Sequence, residues 1–138
     1  MKIYISGSIY GGRQKIDTYR EIINHLENHG VEVLNKNIVD ENVIEKESFQ
    51  DDAEIFEDLI NKIKIADLIL AETTIPSLGV GYELGFADSI NKKIIAIYDT
   101  NITEKISTMI RGNKKIDIIP YKNITEIKEE LDKSLKLC

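Results

Sequence analysis

The chain is predicted to be an α/β protein: one doubly wound domain in which a five-stranded parallel sheet is flanked by helices. Three observations predict it. Short β-rich runs alternate with segments of helical period along the length, the pattern of successive βαβ units. One run, "ADLILAE" (66–72), is almost continuously apolar, as suits a strand buried on both faces at the centre of a parallel sheet. The 138 residues, 42% of them hydrophobic, are enough for a single core, so 1–138 reads as one domain without a linker.

Each element follows from its own pattern. Lys2 to Ser6 is the first strand. Arg13 to His29 carries Ile16, Tyr19, Ile22, Ile23 and Leu26 at helical spacing and closes at Gly30. Val31 to Leu34 reads as the second strand, and Asp51 to Ile65 as a helix with Ile55, Leu59 and Ile63 on one side. After "ADLILAE" come a helix from Gly79 to Asn91, a strand from Lys93 to Tyr98, a weaker strand from Ile116 to Pro120 and a closing helix from Thr125 to Leu137. The polar stretch from Asn35 to Gln50 lacks a clear period and reads as a lid or a short helix.

Composition excludes several classes of function. A net charge of −6 opposes binding to a nucleic-acid polymer, which selects for a basic face. No apolar run approaches the roughly 20 residues of a membrane span. The single cysteine, Cys138, allows neither a disulfide framework nor a cysteine metal site, so a cytoplasmic setting is expected.

In a doubly wound sheet, ligands sit beyond the carboxyl ends of the strands. The first loop there is "GSIYGGR" (7–13), with Gly7, Ser8, Ile9, Tyr10, Gly11, Gly12 and Arg13. Its glycines let backbone amides approach an anion, and phosphate is the natural guess; a tight turn that needs glycine for geometry alone is the other reading. The second loop, "TTIPSLGVGYELG" (73–85), sets Gly79 and Gly81 just ahead of Glu83. Glu83 is expected in the first turn of the following helix, where an acid can simply complement the helix dipole. Two glycines beside it, however, leave room for a substrate to press against the carboxylate, as a nucleophile requires. The third loop is "YDTNITEKISTMIRG" (98–112).

Together, "YISGSIYGGR", "AETTIPSLGVGYELG" and "STMIRG" resemble the 2′-deoxynucleoside 5′-phosphate N-hydrolases, a branch of the nucleoside 2-deoxyribosyltransferase superfamily. The likeness runs from Tyr4 to about Gly112, and "PSLGVGYELG" is its most specific piece. The resemblance implies a flavodoxin-like sheet, a homodimer with shared active sites, no metal or organic cofactor, and a small nucleotide as substrate. The reaction implied is cleavage of the N-glycosidic bond of a deoxynucleoside 5′-monophosphate to free base and 2-deoxyribose 5-phosphate. On this resemblance Glu83 is the nucleophile that forms a glycosyl ester, which water then opens. Tyr4 orients its carboxylate, and Ser8 and Ser77 hold the phosphate. Ser107 reaches into the neighbouring subunit's site, and Met109 lines the base pocket.

Two positions depart from the family pattern. Tyr10 stands where the first loop usually has an arginine on the phosphate, so Arg13, or failing it Lys15, is expected to supply the cation, or else the preference for a monophosphate is relaxed. The family's general acid falls on Leu59, eight residues ahead of Asp67; Asp58, one residue away, is taken as the acid. Asn37 stands where such hydrolases have a histidine near the sugar or base. Base exchange by a deoxyribosyltransferase and nucleotide binding without catalysis are the alternative functions.

Overall fold

The computed structural model describes residues 1–9 and 14–137. Along the chain these form β1 (Lys2–Ser6), α1 (Ile16–Asn28), β2 (Glu32–Val33), a 3₁₀ turn (Lys36–Val39), α2 (Val43–Glu47), α3 (Asp52–Ile65), β3 (Leu68–Glu72), α4 (Leu78–Ser89), β4 (Lys93–Asp99), α5 (Thr108–Arg111), β5 (Ile116–Tyr121) and α6 (Ile124–Leu135). All strand pairings are parallel, in the order β2-β1-β3-β4-β5. The order reverses direction between β1 and β3, and this is the switch point beside which doubly wound proteins bind ligands.

Alternation along the strands separates two apolar layers. Ile3, Ile5, Leu68, Leu70, Ile95 and Ile97 face α1 and α6, where they meet Tyr19, Ile22, Leu26, Ile127 and Leu131. Tyr4, Ile69, Ala71, Ile94 and Ala96 face the other way, toward Ile63 of α3 and Val80, Leu84 and Ala87 of α4. β3 is buried at every position, so the expectation for "ADLILAE" holds. Each fully buried leucine or isoleucine stabilises the fold by about 1.5–3 kcal/mol relative to exposure.

Local chemistry explains where elements stop. α1 ends as the glycine predicts: Gly30 has φ +78°, its amide donates to Glu27 O, and the Val31 amide donates to Leu26 O, which together satisfy the last carbonyls of the helix. β2 is shorter than the expected Val31 to Leu34, although the Leu34 amide still donates to Ile3 O at 3.0 Å; beyond it, pairing passes to the Asn35 side chain. The Asn35 amide accepts from Ile5 N at 2.8 Å and donates to Ile5 O at 2.5 Å, completing the edge of β1 where the second strand has left the sheet. The other edge strand, β5, carries Pro120 opposite Tyr98. The stretch 35–50 becomes a 3₁₀ turn and the five-residue α2, whereas α5 has no counterpart among the expected elements.

Candidate active site

The site is built on the α3/α4 face at the carboxyl end of β1. Tyr4 and Ser6 are two residues apart on one strand, so both side chains point to this face. Both donate to Glu83 of α4: the Tyr4 hydroxyl to Oε2, in a short hydrogen bond, and Ser6 Oγ to Oε1 at 3.3 Å. Each carboxylate oxygen is therefore oriented by a strand residue. Burial pushes the Glu83 carboxyl up to about 7, against the two hydrogen bonds, which pull it down. Tyr4, itself buried, is pushed well above the ordinary phenol value by desolvation and then by the negative charge of Glu83, so it remains a donor.

Glu83 does not lie in the first turn. α4 starts at Leu78, one residue earlier than the sequence suggests, because Ser77 Oγ accepts from Val80 N at 3.3 Å and caps the helix. Glu83 is thus in the second turn, and complementing the helix dipole is not its role, since that effect is confined to the terminal turn. Gly79 and Gly81 fall inside the helix, where glycine costs about 1 kcal/mol relative to alanine. A Cβ at Gly81 would meet nothing within 4 Å, and one at Gly79 only Ser77 Oγ at 3.8 Å. Packing within the chain does not demand these glycines.

In the first loop, Gly7 has a packing reason to lack a side chain: a Cβ there would lie 2.6 Å from the Tyr19 ring. Ser8 is buried, and its Oγ is the one buried side-chain polar atom among the described residues without a hydrogen-bond partner. A buried hydroxyl left unsatisfied is costly, and a ligand oxygen would relieve it. Ile9 is half-buried. Tyr10, Gly11, Gly12 and Arg13 lie outside the described residues. Lys15 is described, and it is committed elsewhere. Its Nζ pairs with Asp99 Oδ2 at 2.6 Å and stands 5.2 Å from the centre of the Tyr121 ring, on the α1/α6 face. In this arrangement it does not serve as the substitute phosphate cation.

Two adjoining hollows open beside Glu83. A small one, of about 30 Å³, is bounded by Tyr4, Gly7, Ile9, Asn35, Leu59 and Glu83. The larger cleft, of about 360 Å³, runs between α2 and α3, with Lys46, Glu54 and Asp58 among its walls. Asn37, Glu47 and Leu59 border both, so the two are continuous. Asp58 lies on the wall of the larger cleft with its side chain 60% exposed and paired with Lys62 at 2.8 Å, while Leu59 faces the hollow that holds Glu83. Ser107 and Met109 are not brought to Glu83 within one chain. Ser107 Oγ accepts from Met109 N at 3.2 Å and caps α5, and Met109 is 84% exposed.

Sequence reasoning missed Ser6 and Glu47. The signal for Ser6 was available, since it shares the strand parity of Tyr4. Glu47 had none, because α2 is too short for a period to show.

Comparison with known proteins gives the family of the chain. Residues 3–118 match the family model described as nucleoside 2-deoxyribosyltransferase. Among individual relatives, the protein named 5-hydroxymethyl-dUMP N-hydrolase from Danio rerio is 39% identical over 113 residues, covering 81% of this chain and 78% of its own. The protein of the same name from Esox lucius is 38% identical over 115 residues, covering 81% and 79%. The solved structure of the Clostridium botulinum CMP N-glycosidase BcmB superposes with a TM-score of 0.72 over 97% of this chain and 99% of its own; at 24% identity it speaks for the fold. With the sheet order, the family match over most of its length and relatives this close, the chain belongs to the nucleoside 2-deoxyribosyltransferase family.

Proposed function

We propose that the protein hydrolyses the N-glycosidic bond of 2′-deoxynucleoside 5′-monophosphates, releasing free base and 2-deoxyribose 5-phosphate. The observation that carries this is the half-buried Glu83 carboxylate, held by Tyr4 and Ser6 on the wall of an open hollow at the switch point. Glu83 attacks the anomeric carbon as the bond to the base breaks, and Asp58, released from its pair with Lys62 and protonated, gives its proton to the leaving nitrogen. Water then opens the glycosyl ester, its proton passing to the ionised Asp58 and the Glu83 carboxylate leaving. The unpartnered Ser8 hydroxyl and Ser77, which accepts from Val80 and keeps its own proton to donate, receive the phosphate beside the amino end of α4. The base occupies the cleft between α2 and α3, past Asn37. The deciding experiment is incubation with the common deoxynucleotides and nucleosides, with chromatography of released bases. No base release from any of them would refute the proposal, and release that depends on an added free base would make the protein a transferase.

Tyr10 gives the substrate preference its test. A phenol cannot replace the charge-assisted bonds of a guanidinium, so Tyr10→Arg is expected to raise kcat/KM for a monophosphate by about tenfold or more, leaving the nucleoside nearly unchanged. An unchanged ratio would mean that another cation, such as Arg13, already holds the phosphate.

The working unit is proposed to be a homodimer, supported by an outer surface that a soluble monomer would seldom leave bare. Leu78 is 97% exposed and Tyr82 62%, and the Tyr82 ring meets Phe56 of α3 edge-on at 6.0 Å. Exposed Ser107 and Met109 are then free to complete the partner's site. Mixing Glu83→Ala subunits with Ser107→Ala subunits is expected to restore activity above either alone. A fully active monomer in sedimentation would exclude shared sites.

A further inference from the structure

α1 and α6 lie on the sheet face opposite Glu83, and together they hold both histidines of the chain. His25 and His29 are four residues apart, so the helical repeat stacks them on one flank of α1, with ring centres 4.6 Å apart. Asp132 of α6 faces them, its Oδ1 2.6 Å from His25 Nε2. His29 turns Nδ1 onto the carbonyl oxygen of His25 at 2.8 Å. A carbonyl only accepts, so Nδ1 carries the hydrogen and Nε2 keeps the lone pair. Metal-binding imidazoles are commonly oriented in this way, with one nitrogen donating to a backbone carbonyl and the other presented to the ion. Ligand atoms from all three residues lie within 4.8 Å of one another.

We propose that His25, His29 and Asp132 form a binding site for a divalent first-row transition-metal ion such as zinc, which clamps α1 to α6. Two imidazoles and one carboxylate suit zinc, cobalt or nickel; magnesium and calcium prefer a shell of oxygens. With bonds of about 2.0 Å, ligand atoms around a tetrahedral zinc stand about 3.3 Å apart. The His25–Asp132 pair therefore opens slightly while His29 closes in, and the proton the pair shares leaves to solvent. His29 is the residue that ends α1, so it moves without disturbing the interior of the helix. The Asp132 side chain is 37% exposed, which gives the ion an entry and leaves a position for water. None of the three residues takes part in the proposed hydrolysis, so the site adds to that reading and does not depend on it.

Untagged protein titrated with zinc chloride is expected to bind one ion per chain with a Kd in the micromolar range or tighter. At saturation the melting midpoint should rise by roughly 5 °C, and magnesium chloride should have no effect. Cobalt should give the visible absorption of a tetrahedral centre. His29→Ala removes one ligand and leaves the His25–Asp132 pair in place. It should weaken zinc binding at least about tenfold while the metal-free melting midpoint and the rate of base release stay unchanged. Asp132→Asn should weaken it likewise, and serves alone should the alanine variant not fold. Absence of saturable binding below about 100 µM zinc, or affinity unchanged in the variants, would overturn the proposal.

Discussion

Glu83→Gln is expected to lower base release by at least about 10³-fold, a loss of about 4 kcal/mol of transition-state stabilisation, while the protein stays folded. Glutamine keeps the size of the side chain and an oxygen for the Tyr4 donor, with its NH2 able to donate to Ser6 Oγ, but it cannot form the glycosyl ester. A variant retaining more than about a tenth of wild-type activity, a loss of only about 1.4 kcal/mol, would remove Glu83 from the mechanism. The same substitution carries a stability signature of opposite sign. The folded-state value of about 7 lies above the ordinary carboxyl value of 4.5, so the native state favours the protonated form. Stability from this group is complete below the unfolded value and is lost as pH rises through about 7. Above pH 7 the glutamine variant should therefore be more stable than wild type, by about 1–3 kcal/mol in denaturant titrations.

Tyr4→Phe should shift the acid limb of activity and not merely lower its height. The nucleophile must be ionised, so kcat/KM of the wild type is expected to rise through a value near 7. The Tyr4 hydrogen bond lowers the Glu83 value; without it, burial acts with less opposition and the limb moves to higher pH. At pH 7 the two losses combine, misorientation of the carboxylate and a smaller ionised fraction, for an expected fall of about 10²-fold. Part of that loss should be recovered at pH 9. A limb that stays in place would mean that Tyr4 only fills space.

The alternation of periods made the sheet legible, because short apolar runs such as "ADLILAE" differ from the amphipathic helices beside them. Glu83 and Tyr4 were legible through the motif around them, and the structure supplies the hydrogen bond that sequence separation hides. What stayed hidden depended on capping and on short elements. Ser77 begins α4 one residue early with a side-chain bond, which makes Glu83 the sixth residue of the helix. Past Leu34, Asn35 continues the edge of β1 with a side-chain amide in place of backbone pairing. α2 and α5 span only five and four residues, less than the two turns over which a helical period can be read. Asp58 and Leu59 show the limit of counting along a helix, where neighbours differ by about 100° in direction.

The way the sheet ends also bears on aggregation. A parallel sheet exposes a row of unpaired amides and carbonyls at each margin, a ready template for another chain. Here one margin is a two-residue strand finished by a side-chain amide, and the other contains a proline that cannot donate. Neither margin offers an uninterrupted ladder, so fibril-like growth by strand addition is discouraged at both. Contact between copies is left to helical surfaces, where association can end at a closed pair instead of continuing indefinitely.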